Sequence, residues 1–206
     1  MNTSVVIPAF NEERYIGKVV QTASQYSDEV IVVDDGSHDG TVEAAQVAGA
    51  RVIRQEHLGY IAAIKRGFRE ASCDILVTMD GDGEHYASDI PQLTKPILQN
   101  KADLVLGCRP YIARPSERLL NWLTNLRVRV RDSGTGFRAL NRELALKLDL
   151  KGRCTCGILV LEATYRKARI VEVPIKLRGI KKPRRVVWYH LPQIYHVLRW
   201  LWKLMG

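Results

Sequence analysis

The chain has 206 residues, 46% of them hydrophobic and 26% charged, which suits one soluble globular domain with a full core and little more. Its 31 Lys and Arg against 22 Asp and Glu leave a formal net charge of +9, which points to an anionic partner: phosphates, an acidic membrane surface or nucleic acid. The four cysteines, Cys73, Cys108, Cys154 and Cys156, form no CxxC pair and no zinc framework, so disulfides are not expected and a reducing cytoplasm is. No stretch reaches the ~20 apolar residues of a membrane span, and no signal peptide is expected ahead of the first strand.

Short apolar runs alternate with helical periodicity along the first half. Residues 4–7 predict a strand, after which Tyr15, Ile16, Val19, Val20 and Ala23 recur at helical spacing. Strands follow at 29–33 and 51–54, with a helical pattern over 41–49 between them. A helix over 60–71 puts Ile61, Ile64 and Phe68 on one face and leads to a strand over 74–79. Pro91 suits the first turn of a helix around 88–99, and a fifth strand covers 102–108. Beyond residue 110 the rhythm changes. An Arg-rich amphipathic helix is expected over 116–131, a glycine-containing turn over 132–143 opens another helix, and a late strand covers 168–175. The alternation predicts an α/β fold with a largely parallel sheet between helices. Such sheets bind ligands outside the carboxyl ends of their strands.

Acidic residues collect at those ends. Asp80, Asp82 and Glu84 leave the fourth strand together. Close carboxylates repel unless a cation lies among them, and oxygen ligands suit hard cations such as Mg²⁺ or Mn²⁺ that bridge to substrate phosphates. A solvated acidic turn is the plainer alternative. An EF-hand is excluded, because its sixth and twelfth positions, Gly and Glu, are His85 and Pro91 here. Asp34 and Asp35 leave the second strand. Asp39 is expected to cap the following helix, whereas Asp35 is left to accept from a base N–H or a ribose hydroxyl. The G-x-G-x-x-A string at 134–139 is not a dinucleotide fingerprint, because the charged RVRVRD before it is no buried strand.

Near the end, Lys176, Arg178, Lys181, Lys182, Arg184 and Arg185 occur with no acid between them, ahead of a Trp-rich apolar stretch broken by Pro192, His196, Arg199 and Lys203. A basic segment followed by an amphipathic helix suits an anionic membrane interface. A helix packed on the sheet, or a dimer contact, is the other reading. The expected division is a domain over 1–175 and a basic, amphipathic segment over 176–206.

VVIPAFNEE (5–13), VVDDGSHDGT (32–41), VTMDGDGEH (77–85) and DSGTGFRA (132–139) together resemble, in order and rough spacing, the inverting family 2 glycosyltransferases of GT-A fold. Within that family the chain is most similar to dolichol-phosphate mannose synthases and related polyprenyl-phosphate glycosyltransferases. The resemblance covers about residues 3–175. It implies a GT-A-type, Rossmann-like, mostly parallel mixed sheet, a nucleotide-diphosphate sugar donor and Mg²⁺ or Mn²⁺. It also implies a polyprenyl phosphate acceptor, met by a cytoplasmic, peripheral protein at an anionic membrane surface.

On the same resemblance, Pro8, Phe10, Glu12 and Asp35 frame the base and ribose, and Asp80 also engages the nucleotide. Asp80 and Asp82 hold the metal, with Glu84 where relatives often carry Gln. Arg109 and Arg118 meet phosphates, and Arg178 opens RGIKKPRR where relatives often show a Ser-Lys. Asp82 and Arg109 are thus catalytic candidates. A hydroxyl acceptor would further require a carboxylate base, for which Glu162 is the candidate. Two other classes stand beside this reading. A sugar nucleotidyltransferase usually carries a Gly-rich Arg/Lys signature after its first strand, which PAFNEERY lacks. A non-enzymatic basic module on RNA or membrane would not require carboxylates at three strand ends, so nucleic acid is not expected as a partner.

Overall fold

The computed structural model describes residues 2–112, 114–179 and 187–205. Seven strands form one sheet: β1 (Thr3–Ala9), β2 (Glu29–Asp34), β3 (Arg51–Arg54), β4 (Ile75–Thr78), β5 (Leu104–Cys108), β6 (Arg138–Asn141) and β7 (Ile170–Pro174). Their order is β3-β2-β1-β4-β6-β5-β7. Neighbours are parallel except at β6, which runs antiparallel to both β4 and β5. The helices are α1 (Glu13–Ala23), α2 (Thr41–Val47), α3 (Tyr60–Glu70), α4 (Ile90–Leu98), α5 (Pro115–Asn125), α6 (Arg142–Lys147), α7 (Ile158–Tyr165) and α8 (Val187–Lys203).

Alternate side chains of a strand face opposite sides of a sheet, and both sides are covered here. Val5 and Ile7 pack with Ile16, Val19 and Val20 of α1 and with Ile90, Leu93 and Ile97 of α4. Val6 packs on the other side with Ile61, Ile64 and Phe68 of α3 and with the layer that α5 to α8 build. Two buried faces are why the parallel strands read as unbroken apolar runs.

Pro8 lies in the middle of this sheet although it cannot donate to a ladder. The carbonyl of Val6 accepts from Met79 N–H on the β4 side, and Pro8 faces the same way. The β1–β4 ladder has already ended at the Val6–Thr78 pair, so Pro8 lies one step past its last bonds on that side.

Three expectations need correction. The turn expected over 132–143 contains β6, whose four residues are too few for a periodic signal and include the fully buried Arg138. The helix expected over 116–131 stops at Asn125. There the Asn125 side chain donates to the carbonyls of Asn121 and Val130 and accepts from Val130 N–H, which turns the chain. The Trp-rich helix α8 does not stand apart: it packs against α5 and α7, burying His190, Gln193, Val197 and Leu201. Lys181 to Arg185 of the basic segment lie outside the described residues. Among the described residues no helix is long and apolar enough to cross a membrane.

Gly67 marks where α3 crosses β1 and β2. A methyl there would overlap Val6 Cγ1 outright and meet Val33 Cγ2 at 3.3 Å. Ala gains ~1 kcal/mol over Gly in a helix, whereas overpacking a core costs about 1–3 kcal/mol. Gly67→Ala is therefore expected to lower the urea midpoint despite the better helix former; an unchanged or raised midpoint would refute the contact.

Candidate active site at the carboxyl edge of the sheet

The loops after β1 and β2 are tied to one another. Asn11, in the left-handed region at φ 56°, donates its N–H to Ser37 Oγ at 2.9 Å and accepts from His38 N–H at 2.9 Å. Glu12 N–H donates to Thr41 Oγ1 at 2.8 Å. Asp39, one residue before the N-cap Gly40, does not cap α2 as expected but accepts from the N–H and hydroxyl of Thr41, and also from Glu13 N–H at 3.3 Å. Phe10 stands on this frame with 40% of its surface exposed. Its ring centroid is 4.3 Å from that of His57 and 6.5 Å from that of His38.

Asp35 is not left open as the sequence suggested. It is buried, and its carboxylate accepts from Gln55 Nε2 at 2.7 Å, from Leu58 N–H at 2.9 Å and from Gly59 N–H at 2.9 Å, with His57 Nδ1 3.0 Å away. Its work is to fold the 55–59 turn, which closes on Gly59 at φ 92° and presents His57 to Phe10.

The acidic loop after β4 is fixed from the β6 side. Thr78 Oγ1 donates to the Gly136 carbonyl at 2.7 Å. A methyl at Gly136 would meet Asp80 Oδ1 at 2.7 Å and overlap Oδ2 more deeply, so Asp80 occupies space that any side chain there would take. Tyr60 Oη lies 3.5 Å from Asp80 Oδ1. Burial and the Asp80 carboxylate push the Tyr60 hydroxyl well above its ordinary value, which keeps its proton on. A methyl at Gly81 would meet Ile16, Ile7 and, at 3.6 Å, Glu12 Cγ, so Glu12 borders the same loop.

Asp82 Oδ1 accepts from Glu84 N–H at 3.0 Å. Next to it the chain pairs with a segment from far away. His85 bridges to Leu177, Arg178 N–H donates to the Glu84 carbonyl at 2.8 Å, and Arg178 Nη1 donates to the Gly83 carbonyl at 3.3 Å. The Arg178 guanidinium lies 4.5 Å over the Tyr86 ring. Arg178 therefore joins the acidic loop directly.

Asp80, Asp82 and Glu84 do not close into one three-ligand cage. Among the described residues, one group of three metal-ligating side chains has its ligand atoms within 4.8 Å of one another, and it is Cys154, Cys156 and His190. The acidic set still fits a hard divalent cation. All its donors are oxygens, and Mg²⁺ is commonly held by one or two carboxylates together with substrate phosphates rather than by an all-protein cage.

Other expected residues are placed differently from the sequence reading. Arg109 donates from Nε and Nη2 to the Asp132 carboxylate at 2.6 and 2.9 Å, and its Nη2 is 3.0 Å from Glu117. Burial opposes the Arg109 charge, but the Asp132 and Glu117 carboxylates outweigh it and raise its pKa. A guanidinium held by two buried carboxylates is not poised to meet phosphate; it fixes the 132–134 loop, where Gly134 N–H also donates to Asp132. Arg118 is exposed on α5, its Nε donating to the Ile112 carbonyl at 2.8 Å. Glu162 lies on α7, fully buried. It accepts from Asp149 N–H at 2.7 Å and Leu150 N–H at 3.1 Å and pairs with Arg166 at 3.0 Å. Both its oxygens serve structure, which removes the reason to assign it as a base.

Sequence reasoning missed His57, Tyr60 and Gly136. Tyr60 read only as a helix start, and Gly136 was set aside with the rejected dinucleotide string. Gly136 lies two residues ahead of β6, and the shortness of that strand hid it.

Residues 4–157 match Glycosyl transferase family 2. The chain belongs to that family. This glycosyltransferase is 30% identical over 234 residues to a dolichol-phosphate mannosyltransferase of Pyrococcus furiosus, covering 97% of this chain and 64% of that protein. It is 32% identical over 193 residues to a dolichyl-phosphate hexose transferase of Haloferax volcanii, covering 85% of this chain and 82% of that one. A solved structure of similar fold is glucosyl-3-phosphoglycerate synthase from Mycobacterium tuberculosis, crystallised with Mn²⁺, UDP and phosphoglyceric acid. It has a TM-score of 0.82 and 26% identity, over 97% of this chain and 78% of the other. The mixed, mostly parallel sheet is thus a GT-A-type glycosyltransferase fold.

Two variants separate site from scaffold. Gly136→Ala should weaken Mn²⁺-dependent nucleotide binding at least tenfold by calorimetry with the melting temperature little changed; unaltered binding would refute the role given to that contact. Glu162→Gln keeps one acceptor oxygen but sets an amide NH2 against one of the two backbone donors, and a hydrogen bond to a charged group is worth ~1.5–3 kcal/mol. It should lower stability by a comparable amount while activity per folded molecule stays near wild type. A thousandfold loss of turnover in a stably folded Glu162→Gln would restore the base assignment.

Proposed function

We propose that this glycosyltransferase moves a sugar from a nucleotide-diphosphate donor to a polyprenyl phosphate at a membrane surface, with inversion at the anomeric carbon. The observation that carries the reading is the meeting, at one sheet edge, of the Phe10–His57 ring pair, the Asp80–Asp82 loop and Arg178. The relatives named for dolichyl-phosphate chemistry support it, although the chain spans 64% of the Pyrococcus furiosus protein.

The Phe10 and His57 rings offer flat faces to the base. Pro8 and Glu12 border the space between the first strand end and the acidic loop, and Asp35 acts on the nucleotide side by holding the 55–59 turn. A divalent cation, Mg²⁺ or Mn²⁺, would be held by Asp80 and Asp82 with Glu84 next to them; bound there, it neutralises charge on the departing nucleoside diphosphate. Arg178 adds fixed positive charge at Gly83, where negative charge develops. Arg109 acts as a positioning residue for the 132–134 loop. Arg118 and Lys176 supply further positive charge toward an anionic acceptor.

The acceptor oxygen attacks the anomeric carbon from the face opposite the leaving diphosphate. A lipid phosphate, with a second pKa of about 6 by analogy with phosphoamino acids, is already ionised near neutral pH and needs no base. The commitment of Glu162 to the 149–150 backbone favours this acceptor over a sugar hydroxyl. Membrane docking is supported by apolar residues on α5 and α8. Trp122 is 60% and Trp202 75% exposed, each in a run with three- and four-residue spacing: Leu119, Trp122, Leu126 and Tyr195, Leu198, Trp202.

The test is a donor panel with Mn²⁺ or Mg²⁺, offered a short polyprenyl phosphate, a phosphorylated three-carbon acid and a sugar hydroxyl in parallel. Nucleoside diphosphate release and a glycosyl phospholipid only with the polyprenyl phosphate are expected. Transfer only to a hydroxyl would refute the lipid acceptor, and consumption of nucleoside triphosphate plus sugar phosphate would indicate a nucleotidyltransferase. Asp82→Asn should lower metal-dependent turnover at least 100-fold, ~3 kcal/mol of transition-state stabilisation. Flotation with vesicles rich in anionic lipid should carry the full chain upward, and Trp122→Ser with Trp202→Ser should reduce the floated fraction; recovery of the wild-type chain in the soluble fraction would count against the membrane reading.

A further inference from the structure

Cys154, Cys156 and His190 meet at the junction of three elements outside the proposed donor site. Their ligand atoms lie within 4.8 Å of one another, and Cys156 and His190 are buried. His190 comes from α8, 34 residues from Cys156, and its Nε2 is 4.0 Å from Cys156 Sγ. In a tetrahedral zinc site the corresponding S···N separation is ~3.6 Å, from bond lengths of about 2.3 and 2.05 Å. The pair is therefore within half an ångström of coordination distance.

We propose that Cys154, Cys156 and His190 bind Zn²⁺, clamping helix α8 to the 151–157 loop. The chemistry of the surroundings agrees. Ser116 Oγ lies 2.7 Å from His190 Nδ1. When that hydroxyl accepts the Nδ1–H, the Nε2 lone pair faces the thiols, the arrangement in which outer partners usually hold a ligating imidazole. The guanidinium of the fully buried Arg138 donates to Thr155 Oγ1 at 2.7 Å, between the two cysteines, and so favours their anionic form. Two thiolates and an imidazole select a borderline-soft cation and leave Mg²⁺ and Mn²⁺ to the carboxylates. A fourth position would fall to water, since zinc is normally four-coordinate.

The site reaches toward the reaction edge through backbone. Arg138 Nη2 donates to the Ser133 carbonyl at 3.5 Å, and Gly157 N–H donates to the same carbonyl at 3.2 Å. Gln193 of α8 accepts from Arg153 N–H at 3.2 Å and from Cys154 N–H at 3.4 Å, so the helix already follows the loop. Zinc there would make the position of α8 depend on metal and on the redox state of the thiols. None of this requires the sugar-transfer reading to hold.

The experiment uses the full chain, reduced, stripped of metal and kept in excess Mg²⁺ so that the carboxylates are occupied. Co²⁺ is titrated in. Thiolate-to-Co²⁺ charge-transfer absorption in the near ultraviolet, with intense tetrahedral bands in the visible, should saturate near one equivalent and be abolished by one equivalent of Zn²⁺. Asp82→Asn should keep the signal; Cys154→Ser and His190→Asn should lose it. Because the signal is read first on the wild-type protein, a variant that does not fold leaves the test intact. No charge-transfer band in wild type at excess Co²⁺ overturns the proposal, as does a band that persists in the Cys154→Ser, Cys156→Ser double variant.

Discussion

The position of Asp80 depends on a residue that has no side chain. Gly136 leaves the space in which the Asp80 carboxylate lies, and its carbonyl takes the Thr78 hydroxyl just before the acidic loop begins. Both contacts exist because β6 enters the sheet antiparallel beside β4. A further parallel strand would arrive from the other edge and bring no such turn to Asp80. The single reversed strand is thus the feature that converts an ordinary doubly wound sheet into one with an acidic corner closed on two sides.

Charge is distributed around that corner with a clear division of labour. Arg109 is matched locally, between Asp132 and Glu117, whereas the buried Arg138 rests on neutral groups of the loops beside it, Thr155 and the Ser133 carbonyl. These groups hold loops in place. Arg178 differs, since it reaches backbone carbonyl and an aromatic face at the acidic loop. A paired, desolvated guanidinium has little left to offer a phosphate, whereas one on neutral partners keeps its field. Sequence alone treats the two alike, as arginines in basic surroundings.

What was legible follows from distance along the chain. The parallel strands were readable because burial on both faces makes each a continuous apolar run, and the helices because their buried faces recur at helical spacing. The motifs at the strand ends could be read for the same reason. The partners of those residues could not. Asp35 looked open because the Gln55 amide and the 58–59 backbone that occupy it arrive 20 to 24 residues later. Arg109 looked available because Asp132 lies 23 residues away, and nothing in the segment around Glu162 announces that the 149–150 backbone folds over it. β6 escaped because four residues around a buried arginine carry neither strand nor helix periodicity. Cys154 and Cys156 formed no zinc framework in the sequence, because the imidazole that joins them comes from a helix 34 residues on.

The central claim is that the corner built by Asp80, Asp82 and Gly136 grips a sugar donor's two phosphoryl groups through a divalent cation. Crystals grown with a nucleoside diphosphate and Mn²⁺, measured at the manganese absorption edge, test it most directly. The account predicts an anomalous peak shared by the Asp80 and Asp82 carboxylates and oxygens of the diphosphate, with the base against Phe10. A nucleotide bound elsewhere, or bound at that edge with the manganese on other ligands, would contradict it.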